Sequence, residues 1–185
     1  VAPTSTTTTG PASTTLSSGT GGSTATGPGT TLQSGFYWIR AVESPNFHQY
    51  LQTSPEYVPG IAILQNYTTA GQFQIISGQL VELVGGGAYL YANVALPANS
   101  NVTMLPMSFE TTQNTFGTFV FSGDAVEWSV ASIDRPNDAA WLVCANQQLF
   151  INLGAYDYLT PAGCSDETVC FVACERGARR VVNYL

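Results

Sequence analysis

The chain has 185 residues, with 12 acidic and 5 basic side chains and a formal net charge of −7. So acidic a chain lacks the electrostatic footprint of a nucleic-acid-binding surface and is repelled by anionic lipid. No apolar run approaches the ~20 residues that a membrane-spanning helix needs, so no membrane insertion is expected.

The chain begins with Val and shows no charged stretch leading into an apolar core, the pattern expected of a processed protein or a fragment. Residues 1–34 are more than half Ser or Thr, with Gly, Ala and Pro making up nearly all the rest, and no aromatic residue precedes Phe36. Such a segment has too little apolar surface to offset its ordering entropy. It reads as a disordered, O-glycosylated linker that neither packs nor catalyses.

From residue 35 the composition changes abruptly. "FYWIRAV", "GIAIL", "QFQII", "LVELV", "AYLYANV", "GTFVF", "AVEWSV", "AWLVC" and "QLFINL" follow one another, separated by turn residues. Short β-branched and aromatic runs between Gly, Pro, Asn and Asp predict an all-β domain over 35–175. A tail of 176–185 follows, with Arg176, Arg179 and Arg180, too few basic residues to make a phosphate groove.

Within the domain Ser77-Gly78-Gln79-Leu80-Val81-Glu82 recurs as Ser122-Gly123-Asp124-Ala125-Val126-Glu127. Further on, Ala88–Asn93 resembles Ala140–Asn146, giving a unit of about 45 residues. Each unit reads as strand, Ser-Gly turn, strand, loop, strand. Three such lengths fill the domain, although the motif itself is absent from 36–72. An antiparallel β-barrel with an internal repeat, β-trefoil-like, is therefore expected, with a β-sandwich as the alternative. Equivalent turns are expected at Ser77-Gly78 and Ser122-Gly123, with Val81 and Val126 buried and Glu82 and Glu127 more exposed.

The repeat bears on chemistry. Asp124 and Glu127 stand three residues apart beside Trp128, as an acid/base pair over a sugar would. But Asp124 replaces Gln79 of the other copy, directly after a turn Gly. Residues i and i+3 of a strand also point to opposite faces. A turn residue and a solvated glutamate are the expected reading.

His48 is the sole histidine, so a two-His zinc site is excluded, and no Gly-x-Ser-x-Gly elbow accompanies it. No dinucleotide or phosphate-loop motif occurs. No catalytic residue, metal or cofactor is expected.

Cys144, Cys164, Cys170 and Cys174 form an even set without Cys-x-x-Cys. Beside a Ser/Thr-rich stalk this reads as two disulfides in a secreted protein, with three connectivities open. Asn66-Tyr67-Thr68 and Asn101-Val102-Thr103 are N-glycosylation sequons in polar stretches between strands.

Phe36–Val42 with Asn46–Gln52, and Leu149–Cys164 at the other end, resemble secreted domains of filamentous fungi. Those domains pair an "FWIRAV…NFHKYLQ" opening with an "LYLNLGAY…TPAGC" close. More loosely the chain is similar to the C-terminal domains of PIR-type and PhiA-type fungal cell-wall proteins, whose cysteines match Cys144 and Cys164. The extra pair after Cys164 departs from that pattern. The expected bridges are Cys144–Cys164, closing a loop worth ~3 kcal/mol, and the remaining Cys170–Cys174.

The resemblance implies extracellular, cell-wall or surface association and carries no catalytic residue. The expected role is non-catalytic, structural or carbohydrate-interacting, with a cell-wall polysaccharide or glycoprotein as partner. The alternatives are a carbohydrate-binding module or lectin appended to a secreted hydrolase, and, from another class, a small glycosidase. Trp128, Trp38 and Tyr156 are the candidate sugar-stacking rings, Trp128 foremost because the other copy of the repeat has Leu83 there.

Overall fold

The computed structural model of the chain describes residues 26–172. Residues 1–25, Cys174 and the expected tail 176–185 lie outside the described residues. The first strands are β1 (Trp38–Ala41), β2 (Tyr50–Ser54) and β3 (Gly60–Gln65). A second group holds β4 (Phe73–Ile76), β5 (Gln79–Leu83), β6 (Tyr89–Val94) and β7 (Met104–Glu110). Then come β8 (Thr118–Ser122), β9 (Ala125–Ser129), β10 (Trp141–Val143), β11 (Leu149–Asn152), β12 (Ser165–Glu167) and β13 (Val169–Val172).

All pairings are antiparallel. The order runs β12-β10-β11-β7-β3-β2-β1-β13-β9-β8, and β4-β5-β6 joins it at β7. The result is the expected all-β antiparallel barrel, nearly closed. A bridge between Tyr37 and Phe73 ties the start of β1 to β4, and the Phe119 N–H donates to the Gly78 carbonyl.

Alternation places the core. In β6 Leu90, Ala92 and Val94 turn inward, and in β7 Leu105, Met107 and Phe109 do. They meet Ile39, Phe73, Trp128 and Ile151 in one cluster. Each fully buried large side chain contributes ~1.5–3 kcal/mol.

Trp128 is thus a core residue, 0 % exposed, and not the exposed platform expected of it. Gly117 makes room for it: a side-chain carbon there would lie 2.5 Å from the indole. Arg135 packs over the ring, 5.7 Å from its centre. Its guanidinium donates to the carbonyls of Trp128, Asp138, Ala140 and Asn152. Burial pulls its pKa down to about 10, so it stays charged at neutral pH.

The repeat holds as two hairpins but not as two equivalent turns. In the first, Ile76 pairs with Gln79, so the turn is Ser77-Gly78, with φ of 52° and 79°. In the second, Ser122 pairs with Ala125, so the turn is Gly123-Asp124, with φ of 58° at the glycine. The first is the type I′ pattern and the second the type II′ pattern with Gly leading. A shift of one residue exchanges the faces of everything downstream. Val126 and Trp128 therefore join the main core, while on β5 it is Leu80 and Glu82 that lie on that side. Glu82 is 0 % exposed, contrary to expectation, and Glu127 is half-exposed. Val81 is buried as expected, but on the opposite face.

The second half of the repeat also aligns differently. A 3₁₀ turn Gly85–Gly87 links β5 to β6, and a 3₁₀ turn Ala145–Gln147 links β10 to β11. Val84 N–H donates to Ala88 C=O in one, and Cys144 N–H to Gln148 C=O in the other. Both β6 and β11 then pair with β7. The structural counterpart of Ala88–Asn93 is therefore the stretch beginning at Gln148, and not Ala140–Asn146. The residue match reflected shared strand chemistry.

The linker's inner end differs from expectation as well. Residues 26–34 form no helix or strand, as expected, but they pack on the domain. The Gln72 side chain accepts from Gln33 N–H and donates to the carbonyls of Gly29 and Thr31. Gly27 lies against the Tyr57 ring and Gly85 against Thr26. This strap, with Phe36 on Tyr89, runs past the end of β5 at Leu83 and Val84 and along the Gly85–Gly87 turn. Composition understated it because one buried amide side chain, 1 % exposed, holds three backbone groups at once.

Candidate functional site

A cleft of ≈ 530 Å³ opens between the β1–β2 loop and the long loop that follows β11. Glu43 comes from the first loop, Tyr156, Asp157 and Thr160 from the second, and Ser165 and Asp166 from β12. The Cys144–Cys164 disulfide, as expected, joins the end of β10 to the end of the long loop. Gly154 N–H donates to Asn152 Oδ1 at 2.8 Å, so the loop is pinned at its start too.

Asp166 is held on both oxygens. Oδ1 accepts from Asn152 Nδ2 at 2.8 Å, and Oδ2 accepts from the Thr160 hydroxyl. Ser165 Oγ accepts from Asn46 Nδ2 at 2.8 Å. Behind them Glu167 is fully buried, and its Oε1 accepts the N–H groups of Val42, Glu43 and Thr168. Burial raises the Glu167 pKa, and those three hydrogen bonds offset part of the rise.

The cleft carries negative potential. The Tyr156 phenol is pushed up to about 12, first by burial and then by Glu43, Glu167, Asp166 and Asp157. Its ring is 37 % exposed, and Tyr158 beside it is 67 % exposed. Asp157 and Leu159 hold φ of 56° and 54°, left-handed values that cost a side-chain-bearing residue ~1 kcal/mol or more. Among the described residues no group of three or more His, Cys, Asp or Glu is arranged to hold a metal ion. A ring, a hydroxyl and fixed carboxylate acceptors can stack on and hydrogen-bond a polyhydroxylated ligand.

Of the expected rings only Tyr156 lies in this cleft. Trp128 is core, and Trp38 is half-buried on the outer face of β1. Asp124 sits in the hairpin turn and Glu127 pairs with Val120 on the adjoining strand, both away from the cleft. His48 is exposed, stacks on Phe47 at 3.9 Å, and places Nε2 3.1 Å from Arg40 Nη1. A guanidinium thus occupies the nitrogen that a general base would use. Asn66 and Asn101 are exposed, and Asn66 Oδ1 accepts from Thr68 N–H. Cys170 is half-buried on β13, while its expected partner Cys174 lies outside the described residues.

Sequence reasoning missed Glu43, Asp157, Thr160 and Asp166. The available signal was "GAYDYLTP", an aromatic–acid–aromatic triplet between Gly154 and Pro161. No protein-family model, no curated protein and no solved structure matches the chain.

Proposed function

We propose that this chain is a non-catalytic extracellular domain of a fungal cell wall or surface, carried on a Ser/Thr-rich stalk, that holds carbohydrate in the Tyr156 cleft. The observation that carries the reading is the exposed Tyr156 ring beside fixed carboxylate acceptors in one cleft, with the exposed Tyr158 two residues further along the same loop. Sugar rings bury their C–H faces on such rings and donate hydroxyls to such acceptors. The disulfide and the exposed sequons suit an oxidising, secretory route. The non-catalytic part rests on the separation of Asp124 from the cleft, and on His48 being engaged by Arg40.

Co-sedimentation of the full chain with insoluble β-glucan and chitin tests it. Tyr156→Ala with Tyr158→Ala should weaken retention about tenfold or more, equivalent to ~1.4 kcal/mol, while Asp124→Asn and Glu127→Gln leave it unchanged. Retention that survives loss of both tyrosines would remove the cleft from the account. Release of reducing sugar by the parent that Asp166→Asn abolishes would replace the binding module with a hydrolase.

A further inference from the structure

Glu82 is a buried acid that the cleft does not use. Its side chain is 0 % exposed, and neither carboxyl oxygen has a hydrogen-bond partner. It pairs across the sheet with Phe73 and Leu90. Gly71 presses on it: a side-chain carbon there would lie 2.6 Å from Oε1. Thr53 on β2 directs its hydroxyl and backbone N–H towards it, which offsets part of the effect of burial but leaves both oxygens short of a full hydrogen bond.

The titratable groups that act on it come from the β2–β3 loop, Glu56 and Tyr57, and both are acids. β4, β6 and the strap present no charged side chain to it. Arg40 is engaged with His48 and Arg135 with four carbonyls elsewhere. A carboxylate there would be buried with no cation beside it and only the Thr53 donors near it, a costly arrangement.

The same corner anchors the strap. Gly71 N–H donates to Leu51 C=O, and Leu83 N–H donates to Gln72 C=O. The Gln72 side chain then holds Gln33, Gly29 and Thr31. One dipeptide therefore stands between the acid and the strap.

We propose that Glu82 is a proton-dependent clasp: as the neutral acid it keeps the β4–β5–β6 corner closed, and its ionisation loosens that corner and frees the strap leading to the Ser/Thr-rich segment. Burial pushes its pKa up to about 8 when the corner is closed, while an opened, solvated carboxyl returns to the ordinary value of 4.5. The closed state therefore binds the extra proton between those values. Its advantage is complete below pH ~4.5, shrinks as pH rises, and is gone above ~8. For one proton the opening equilibrium changes about tenfold per pH unit within that window.

Hydrogen–deuterium exchange on the full chain, corrected for the intrinsic pH dependence of amide exchange, tests it at pH 5, 6, 7 and 8. Protection at Gly71, Leu83 and Gln33 should fall about tenfold per unit in the parent. In Glu82→Gln it should be flat, while the amides bonded between β8 and β9 stay constant in both. Should Glu82→Gln not melt cooperatively, Glu82→Leu makes the same comparison without an amide to satisfy. Flat protection in the parent overturns the proposal whatever the variants do, as does a slope retained in a folded variant. A slope at Gly71 and Leu83 without one at Gln33 overturns the release of the strap.

Discussion

The hairpins β4–β5 and β8–β9 begin from the same Ser-Gly-x-x-Val-Glu motif and end with opposite faces inward. In one, Ser77 takes the left-handed conformation; in the other, Ser122 stays in the strand and Gly123 leads the turn. One residue of slip moves Val126 and Trp128 to the core and puts Glu82 there in the other copy. A hairpin motif specifies that a turn forms, whereas the packing on either face decides its register. β5 of the first hairpin is buried on both faces, so valine and glutamate go out of water together. The second has one fully buried face and keeps its glutamate half in water.

Substitutions at aligned positions break or sharpen this comparison. The largest difference is expected at the residue after each glutamate. Trp128→Ala should cost ~3–5 kcal/mol in denaturant unfolding, and Leu83→Ala, under the strap and outside the main core, nearer ~2. Equal costs would mean that the two strands contribute alike. Next come the glycines. Gly78→Ala and Gly123→Ala both force a side chain to positive φ, worth ~1–2 kcal/mol. Gly78→Ala should be the worse, because Thr118 lies 3.1 Å from the new carbon and nothing lies within 4 Å at Gly123.

The serines separate the turns most directly. Ser77→Asn installs Asn-Gly, the preferred type I′ pair, and should raise the unfolding midpoint by the equivalent of ~0.5 kcal/mol. Ser122→Asn should be neutral or slightly unfavourable, since that residue is a strand position. A gain at both would place both turns in the same register. Smallest of all is Asp124→Asn, expected within ~0.5 kcal/mol by the same unfolding curves. The bond from Phe171 N–H to Asp124 uses the backbone carbonyl and survives the change.

The strands were legible because each reads as a short apolar run between turn residues. Register was not, because two hexapeptides alike at Ser, Gly, Val and Glu carry no information about what will cover them. Trp128 stood out by differing from Leu83, but the reason for the difference is the hole at Gly117, eleven residues away in sequence and visible only in the fold. The cleft draws Glu43 and Asp166 together across most of the chain, a proximity set by β12 pairing with β10 and by three N–H groups converging on Glu167. Tyr156 is the one cleft residue that stood among the candidate rings.

The pairing of β1 with β13 has a mechanical consequence. Trp38 lies opposite Val172 and Ala41 opposite Val169, so the first and last described strands meet at the end where the chain enters and leaves. Tension applied across those two points peels the ladder rung by rung, which needs far less force than shearing all rungs together. A pull on the entering segment alone meets the Gln72 anchor first. Load entering ahead of β1 therefore reaches the β1–β13 ladder only after the Gln72 anchor has given way.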